Sequence, residues 1–579
     1  MDRTHLLNEL WEYQLKFGYI SEKAISRISK KLKVSIVEVE SVTTFYHFFH
    51  QKPTGKFIVY LNNSIISDIK GHEAVKAAFE KETGSTFNEY GDNEFSLFDT
   101  SCIGMSDQEP AALINFQPFT DLTPKKVKGI IDSLKNDENV KDIASKTKSK
   151  IQYHPEGDKA IIFRSYEMGK SIREGIKYSP DEIVDKISKA KLLGLGGAFF
   201  PVGYKWNSCK NNEADTKYII CNADEGEPGT FKDRALLQYL PGLVIEGMVL
   251  AGYATGAKEG IIYLRAEYQY FKKRLEGLLE EFRKTKLLGK DILGVKDFDF
   301  DIRIQLGAGS YVCGAASALI ESLEGRRGEP PVRTWSATKH GFRHKPTVVN
   351  NVETLAYASR IIELGEDHFL SLGTEESPGT KLISISGDVA KPGIYEIEYG
   401  TPIIDMLGIE MSQATSPYFI QVSGPSGECI NNTEFNRRIC KEDIMCGGSF
   451  MVFNRTRDLL NILRNFMEFF KEESCGVCTP CRAGNYILNE KVKKMQRGLA
   501  SQEDIKEIKQ WGNIIKLSSR CGLGKSSPNS LIYAVEKFKD YFNLKIPPTN
   551  EFLNVEFDMQ DAVQEFDSFI KDTQPELDK

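Results

Sequence analysis

The spacing of apolar residues along the chain predicts helices at both ends and mixed α/β units between them. In the first 52 residues apolar side chains recur every three or four positions, as at Leu6, Leu10 and Ile28, which predicts a small helical bundle. After it, "KFIVYL", "FSLFDTSC" and "AALINF" alternate like strands around the helical segment "HEAVKAAFEKETG", which predicts a compact α/β unit. From about 135 to 160 the chain is polar and rich in lysine, which is typical of a solvated linker.

A larger α/β unit follows the predicted linker. Ser179, Pro180 and Glu182 combine an N-cap, a first-turn proline and a reciprocal cap, which predicts a helix leading into a glycine-rich loop. The strand-like segments "KYIICNA", "GIIYLRAE" and "FDIRIQLGAG" alternate with helical ones. This order is typical of a largely parallel sheet in an α/β layered domain.

Two further units complete the chain. "KLISISGDVAKPGIYEIEYG" is rich in strand formers and turn signals and is followed by a helical segment at 401–407, which predicts a small β-grasp-like domain. Amphipathic helices return from 457 to 542, "DLLNILRNFMEFFKEES" being the clearest. The acidic tail after about 546 carries little pattern.

Length and charge exclude several classes of protein. A chain of 579 residues exceeds one hydrophobic core, and 41% hydrophobic with 27% charged residues is ordinary for a globular multidomain protein. The net charge is −6 and the basic residues are scattered, so we expect no nucleic-acid partner. The N-terminus lacks the layout of a signal peptide, and no apolar run reaches the roughly 18 residues of a transmembrane segment. These features predict a cytoplasmic protein.

The eleven cysteines are unevenly distributed, and four of them have the spacing of a cluster site. "ESCGVCTPCRAG" places Cys475, Cys478 and Cys481 at C-x-x-C-x-x-C spacing, and "SSRCGLGKSSP" adds Cys521 from a separate segment. This layout predicts a [4Fe-4S] cluster, because each thiolate must reach a different iron. Zinc is the alternative, although it more often uses two separated C-x-x-C pairs or histidine ligands. Six others lack mutual ligand spacing and are predicted to be ordinary core or surface residues: Cys209, Cys221, Cys313, Cys429, Cys440 and Cys446.

The segment "LLGLGGAFFPVGYKW" (192–206) has the glycines of a nucleotide-binding loop. Gly194, Gly196 and Gly197 allow a ligand to approach the backbone closely. A Rossmann fingerprint, however, needs a preceding strand and a third glycine where this chain has Phe199. The loop is therefore not a Rossmann loop, and the pattern alone is weak evidence for a nucleotide.

Three polar segments are further candidates for binding. In "CNADEGEPGTFKDR", Asn222, Asp224, Glu225 and Glu227 are crowded into one turn, which could bind polyol hydroxyls or a flavin edge, or could be a solvated acidic loop. "GAGSYVCGAAS" and "KPTVVNNVET" each precede a helical segment, where backbone amides could meet a phosphate.

Nearly end to end, the chain resembles the flavin-bearing diaphorase subunit of soluble NAD-reducing hydrogenases. That subunit is itself similar to the NADH-binding flavoprotein subunit of respiratory complex I. The motifs that carry the resemblance are "FYHFFHQKPTGKFIVYLNNS", "LFDTSCIGMSDQEPA", "ICNADEGEPGTFKDR", "VVNNVETLA", "SGPSGEC" and "EESCGVCTPCRAGN".

The resemblance implies a function and a set of site residues. In that family FMN lies over the glycine loop, accepts hydride from NADH and passes single electrons to the [4Fe-4S] cluster and on to a partner. It implies an iron–sulfur electron-transfer subunit and a catalytic subunit as partners. The implied FMN site comprises Gly194, Gly196, Gly197, Lys205, Asn222, Asp224, Glu227, Tyr311, Gly314, Asn350, Asn351 and Thr354. The implied NAD(H) contacts are Phe200, Glu227 and Arg333.

The N-terminal unit resembles a thioredoxin-like [2Fe-2S] subunit fused in front. Only Cys102 of its four cysteines remains, with Asn62 and Ser106 where cysteines are expected, so we predict no [2Fe-2S] cluster and a structural role in docking a partner. The predicted fold is multidomain α/β. Its parts are an N-terminal helical bundle (1–52), a thioredoxin-like domain (53–140), a linker (141–165), an FMN/NAD-binding-type α/β domain (166–365), a β-grasp-like domain (366–450), a helical [4Fe-4S] domain (451–545) and a tail (546–579).

The departures from the family gather at the nucleotide pocket. The loop expected as R-G-G-A-G-F-P begins with Leu195 and has Phe199 in place of its last glycine. An expected acidic pair is Ala315-Ala316, and an expected K-P-P-F-P stretch has Ser336 in place of its phenylalanine. Each lost hydrogen bond to a carboxylate costs about 1.5 to 3 kcal/mol, so the affinity for NADH should fall.

Three hypotheses therefore stay open. The first is a working FMN-dependent NADH diaphorase, which the whole-chain resemblance favours. The second is a pseudo-diaphorase that keeps the [4Fe-4S] cluster as an electron wire or scaffold but has lost FMN or NADH binding. The third is an NADP(H)-preferring variant, because the loss of two carboxylates together with Arg333 removes repulsion of a 2′-phosphate.

Overall fold

A computed structural model describes residues 2–332, 335–408 and 417–546 of the chain. The first unit is the predicted helical bundle of α1 (Leu6–Phe17), α2 (Glu22–Leu32) and α3 (Ile36–Phe45). It does not stand alone: the Trp11 indole donates to the Gly307 carbonyl at 2.9 Å, and the Tyr46 hydroxyl bonds the Ser322 hydroxyl at 2.8 Å. The bundle is thus anchored to the central domain.

The second unit is a thioredoxin-like four-stranded sheet in the order β2-β1-β3-β4. β1 is parallel to β2 and antiparallel to β3, and all six residues of β1 are buried. The elements are β1 (Phe57–Asn62), α4 (Ile65–Ile69), α5 (His72–Thr83), β2 (Phe95–Thr100), β3 (Ala112–Ile114), β4 (Gln117–Phe119), α6 (Pro124–Lys135) and α7 (Val140–Ile143).

The next segment is not a solvated linker throughout, which corrects the prediction for residues 141–165. It contains β5 (Ile151–Tyr153), which pairs in parallel with a strand of a later domain. Ile161 and Ile162 are fully buried, and their N–H groups donate to the Glu396 carboxylate at 2.9 and 2.8 Å. The lysine-rich composition of the segment gives no sign of these few apolar positions. The strand that pairs with β5 lies more than 240 residues later in the chain.

The central domain is a parallel sheet in the order β8-β7-β6-β9, as the alternation of elements predicted. Its elements are α8 (Lys170–Gly175), α9 (Pro180–Lys189), α10 (Val202–Asn211), β6 (Tyr218–Ala223), α11 (Lys232–Tyr239), α12 (Pro241–Thr255), β7 (Glu259–Leu264), α13 (Lys272–Lys284), β8 (Asp301–Leu306), α14 (Ala316–Leu323), α15 (Ala337–His340), β9 (Thr347–Asn351), α16 (Val352–Leu364) and α17 (Glu366–Leu370). The capping box of Ser179 and Glu182 begins α9, as predicted. The sequence does not predict β9, because its two asparagines are typical of a helix start.

The third sheet has the order β13-β12-β14-β10-β11-β5. Its elements are β10 (Thr380–Gly387), β11 (Gly393–Glu398), α18 (Ile403–Gly408), β12 (Pro417–Val422), β13 (Glu428–Asn431) and β14 (Ser449–Asn454). A hairpin, a helix and a last strand parallel to the first give the predicted β-grasp-like arrangement. The predicted boundary at 450 cuts β14, so it falls too early: the pairing of β14 with β10 holds residues up to 454 in this sheet.

The C-terminal domain is helical, as predicted. It consists of α19 (Leu459–Glu473), α20 (Thr479–Gln496), α21 (Gln502–Ser518), α22 (Gly522–Ser526), α23 (Asn529–Lys537) and α24 (Lys539–Lys545). The predicted tail lies outside the described residues from 547 onward. In the described part of the chain, no single helix is long and apolar enough to cross a membrane, and α11 with α12 passes by length and composition only as a pair bent by 95°.

Candidate functional site

The predicted flavin site lies at the carboxyl edge of the parallel sheet of the central domain. β6 and β9 end side by side, and Asn222 pairs in register with Asn351. Ligands of open α/β sheets bind at this edge, where loops leave the strands. The edge therefore brings together two of the polar segments that the sequence analysis singled out.

The glycine loop folds against the end of β9. The Gly194 N–H donates to the Phe200 carbonyl at 2.9 Å, which closes the loop on itself. The Leu195 N–H donates to the Thr354 hydroxyl at 2.9 Å. A Cβ placed on Gly196 would lie 3.1 Å from the Cβ of Asn351, so the close approach of loop and strand leaves little room for a side chain there.

Lys205 and the two asparagines supply hydrogen-bond donors beside this loop. Lys205 Nζ donates to the Val349 carbonyl at 3.0 Å, and Trp206 Nε1 donates to Asn350 Oδ1 at 3.0 Å. Asn350 Nδ2 is buried and has no hydrogen-bond partner among the described residues. Burial lowers the pKa of Lys205 to about 8, and no carboxylate of the described chain forms an ion pair with it. Among the described residues, therefore, Asn350 Nδ2 has no acceptor and the Lys205 ammonium has no anion beside it.

The acidic turn after β6 lies at the same edge of the sheet. Asn222 Oδ1 accepts from the Asp224 N–H at 3.1 Å, and Asn222 Nδ2 donates to the Gly314 carbonyl at 2.9 Å. Loss of hydration raises the pKa of Asp224 to about 8 and that of Glu227 to about 7. The turn is half-buried rather than the solvated acidic loop that composition alone allowed.

Glu227 also joins the central domain to the β-grasp-like domain. It accepts a short hydrogen bond from the Tyr311 hydroxyl, and its Oε1 accepts from the Ser426 N–H at 2.9 Å. Nearby, the Gly447 N–H donates to the Ser423 hydroxyl at 2.8 Å, and a Cβ on Gly447 would lie 3.8 Å from Gly197 Cα. The loop "SGPSGEC" therefore contacts Glu227, and the glycine turn before β14 lies close to the glycine loop.

The residues present fit FMN. The unpartnered Asn350 Nδ2, the Asn351 amide and the uncompensated Lys205 ammonium are donors suited to a phosphate or to carbonyl oxygens. The carboxyl groups of Asp224 and Glu227 offer oxygens that can accept from hydroxyl groups in either protonation state. The predicted FMN residues lie in the glycine loop and the helix after it, at or just after the ends of β6 and β9, and in the Tyr311–Gly314 turn.

The predicted nicotinamide side is more open. Phe199 has a φ of 50°, a backbone conformation that favours glycine, and it is half-buried at the rim. The Phe200 ring is 46% exposed and meets the exposed Tyr204 ring edge-on at 5.5 Å. Ala315 is the N-cap of α14 without a side-chain cap, and Ala316 is exposed beside it. Arg333 lies outside the described residues.

The four predicted cluster ligands line one small cavity. Cys475 and Cys478 lie in the loop after α19, Cys481 lies in the first turn of α20, and Cys521 is the N-cap of α22. Burial, reinforced by the neighbouring thiols, raises the pKa of Cys481 to about 12, so a positive iron centre would be needed to hold it as a thiolate. Asn485 Nδ2, 3.4 Å from Cys481 Sγ, is placed to donate to that sulfur.

The order of these cysteines along the chain, three within seven residues and a fourth from a separate segment, favours a cluster over zinc. A single zinc would require four ligand atoms within about 2.3 Å of one point. A cubane asks instead that each sulfur reach a different corner, which a shared cavity allows.

A single short turn separates the two sites. Tyr311–Gly314 forms a 3-10 turn: Tyr311 and Gly314 contact the acidic turn, whereas Val312 lines the cysteine cavity. The Tyr311 N–H also donates to Glu473 Oε2 at 2.8 Å, at the end of the helix that precedes Cys475. The two candidate sites are therefore in contact through four consecutive residues.

In the N-terminal domain, hydrogen-bonding side chains stand at positions where the resemblance implies cluster cysteines. Asn62 is fully buried and donates a short hydrogen bond to Glu109, and Cys102 Sγ lies 3.6 Å from Ser106 Oγ. The same loop is tied to the central domain by Asp107, which accepts two bonds of 2.8 Å from the fully buried Arg234.

Ser426, Gly447 and a buried ionic group around Lys232 also belong to this region and were not predicted from the sequence. None has a local signature, because each acts through a partner from another domain. The quoted motifs "SGPSGEC" and "GTFKDR" contained two of them, and polar residues inside otherwise apolar surroundings were the signal available.

Three family models match the chain in the order of its units. They are the thioredoxin-like [2Fe-2S] ferredoxin over residues 1–135, the Nuo51 FMN-binding domain over 187–360 and the NADH-ubiquinone oxidoreductase-F iron-sulfur binding region over 461–545. Fold and site together define a diaphorase-type flavoprotein subunit, with an FMN-binding domain and a 4Fe-4S-binding helical domain.

The chain belongs to the family of diaphorase subunits of NAD-reducing hydrogenases, which confirms the resemblance stated above. It is 44% identical over 584 residues to NAD-reducing hydrogenase HoxS subunit alpha from Cupriavidus necator, covering 99% of this chain and 97% of that one. NADP-reducing hydrogenase subunit HndC from Solidesulfovibrio fructosivorans is 37% identical over 67% of this chain and 80% of its own. A crystal structure of NAD+-reducing [NiFe]-hydrogenase in the air-oxidized state matches with a TM-score of 0.87 at 33% identity, covering 94% of each chain.

Proposed function

We propose that this chain exchanges electrons between NAD(H) and an iron–sulfur partner subunit, using FMN in the cleft and a [4Fe-4S] cluster on Cys475, Cys478, Cys481 and Cys521. When bound, FMN supplies the conversion between a two-electron hydride and single electrons, and the cluster supplies a one-electron carrier. The observation that carries the proposal is the Tyr311–Gly314 turn, which contacts both sites. A hydrogenase-type catalytic subunit as further partner is supported by the name of the relative from Cupriavidus necator.

The chain's own residues bind and orient the flavin in this proposal. Asn350, Asn351 and Lys205 donate to the phosphate, whereas Asp224 and Glu227 accept from the ribityl hydroxyls. The Thr354 hydroxyl accepts from the Leu195 N–H and so helps to hold the glycine loop in place, while its own O–H stays available to the flavin.

We further propose that the N-terminal domain holds no [2Fe-2S] cluster, although it matches a family named for one. A [2Fe-2S] centre of this type needs four thiolates, and the region offers Cys102 alone. Asn62 is engaged with Glu109, and the surrounding loop is held by the Arg234–Asp107 ion pair. The domain then serves as a docking element.

The second candidate function is the pseudo-diaphorase, which keeps the cluster but not the nucleotide. Phe199 at the rim and the Ala315-Ala316 pair favour it, because they remove space and acceptors from the same ligand. NADP(H) in place of NAD(H) is the third hypothesis, and the similarity to a subunit named NADP-reducing keeps it open. The cytoplasmic location stays a prediction.

One experiment separates the candidates. The protein is purified anaerobically, its extracted flavin and iron are quantified, and NADH and NADPH are compared as reductants of the flavin absorbance. The proposal expects about one FMN and about four irons per chain, with bleaching by NADH. Iron without flavin establishes the pseudo-diaphorase, and bleaching by NADPH alone establishes the third hypothesis. Two additional irons with a [2Fe-2S] EPR signal would contradict the clusterless N-terminal domain.

A further inference from the structure

The amide of Asn351 is held by hydrogen bonds to three groups of the chain itself. Its Oδ1 accepts from the Glu353 N–H at 3.0 Å and lies 3.4 Å from Lys232 Nζ. Its Nδ2 donates to Asp233 Oδ2 at 2.5 Å. An amide nitrogen carries two hydrogens and its oxygen has two acceptor positions, so one N–H is left for the cleft and no acceptor.

The partners of Asn351 belong to a buried ionic group. Lys232 Nζ lies 2.7 Å from Asp233 Oδ1 and 3.1 Å from Glu353 Oε2. Lys381, from the β-grasp-like domain, approaches the same Glu353 oxygen at 2.5 Å. All four side chains are at most 2% exposed, and their two positive and two negative charges balance.

The group has little room to rearrange. A Cβ on Gly448 would lie 2.7 Å from Lys232 Cδ, so the backbone of the β-grasp-like domain presses on the lysine stem. Burial acts to lower the pKa of Lys232, but the carboxylates of Asp233, Glu353 and Glu225 raise it above its ordinary value, which keeps the ammonium charged. Because Lys232 stays charged and has little room to move, it holds Asp233, Glu353 and the Asn351 amide in place.

We infer that Asp233 and Lys232 are positioning residues of the flavin site, which fix the Asn351 amide so that it presents N–H rather than oxygen to the phosphate of FMN. The inference rests on the proposed function. If the amide turned over, its oxygen would face the phosphate oxygens and its NH₂ would face the Glu353 N–H. Two repulsive contacts would then replace two hydrogen bonds.

The test is the dissociation constant of FMN for the full-length apoprotein, measured from the quenching of flavin fluorescence. Asp233→Ala and Asn351→Ala are each expected to weaken binding about tenfold or more, since a hydrogen bond to a charged group is involved. The double variant is expected to bind as weakly as Asn351→Ala alone, within about threefold, because Asp233 acts through Asn351. Asp233→Asn keeps an acceptor oxygen and is expected to lose less than Asp233→Ala, and it serves as the test variant if the alanine variant does not fold.

Lys381→Met is the matched control, because Lys381 is equally buried and contacts Glu353 but not Asn351. It is expected to bind FMN within about threefold of the unsubstituted protein. If the effects of Asp233→Ala and Asn351→Ala on the dissociation constant of FMN multiply in the double variant, Asp233 does not act through Asn351. If Lys381→Met weakens FMN binding as much as Asp233→Ala does, the buried group has a general structural role. Either result overturns the inference. Unsubstituted protein that binds FMN while Asp233→Ala binds equally well overturns the inference alone. Unsubstituted protein that does not bind FMN overturns the proposed function as well.

Discussion

Lys205 should make FMN binding depend on pH. Its ammonium lies at the glycine loop, 3.8 Å from where a Cβ on Gly194 would be, and burial lowers its pKa to about 8. The phosphate of FMN is close to a dianion above about pH 7, so it does not itself change charge at higher pH. The protonated lysine is the form that binds an anion. Affinity is therefore close to its full value at about pH 7 and falls as the pH rises through about 8.

The magnitude is worked from the titration of Lys205 alone; Asp224 and Glu227, whose pKa values are raised to about 8 and about 7, titrate in the same range, and the Lys205→Met variant isolates their contribution. With a pKa of about 8, about nine tenths of the lysine is charged at pH 7 and about one tenth at pH 9. The dissociation constant of FMN for the apoprotein should therefore rise about tenfold between these two values of pH. Lys205→Arg keeps its charge throughout and should bind FMN with little pH dependence, whereas Lys205→Met should bind weakly at both.

Titration of apoprotein with FMN at pH 7, 8 and 9 measures this directly. A dissociation constant that changes less than about threefold in the unsubstituted protein would refute the placement of Lys205 beside the phosphate. A tenfold change that persists in Lys205→Met would refute the assignment of the pH dependence to this residue.

Three further predictions concern separate parts of the chain. Cys521→Ser should release the [4Fe-4S] cluster, seen as loss of iron and visible absorbance, while hydrogen exchange across residues 1–140 stays unchanged. Asp224→Ala should lower the flavin content of purified protein, and unchanged content would count against the acidic turn as part of the flavin site. Asp107→Asn weakens a fully buried ion pair with Arg234, so it should cost about 3 kcal/mol or more of unfolding free energy and speed proteolysis between the first two domains and the third.

The cluster ligands could be predicted from the sequence because the information is local. Cys475, Cys478 and Cys481 lie within seven residues, and a fourth cysteine at a helix start completes the set. The parallel sheet was predicted for the same reason, since its strands are apolar segments that alternate with helices. Spacing along the chain is enough to predict a site or a sheet when the residues that form it lie close together in the sequence.

The remaining features depend on partners far away in the chain. β5 is three residues long and is a strand only because β11 accepts it. The fixed orientation of Asn351 depends on Asp233, which lies 118 positions earlier, and Glu227 meets Ser426 across 199 positions. Such contacts follow no periodicity and do not change the local composition. They cannot therefore be predicted from the sequence and are seen only in the folded structure.

The same reasoning gives a sharp prediction for the nicotinamide side of the cleft. Phe199 has a φ of 50°, so Phe199→Gly relieves backbone strain while it removes a ring from the rim. Ala315 and Ala316 begin α14, where a carboxylate would be stabilised by the helix N-terminus and could accept from ribose hydroxyls. The triple change Phe199→Gly, Ala315→Glu, Ala316→Glu should therefore raise NADH:dye reductase activity by more than its parts combined, because all three act on one ligand. If the unsubstituted protein already turns over NADH at roughly 1 to 10³ per second, as ordinary enzymes do, the rim is not an obstacle and this reasoning fails.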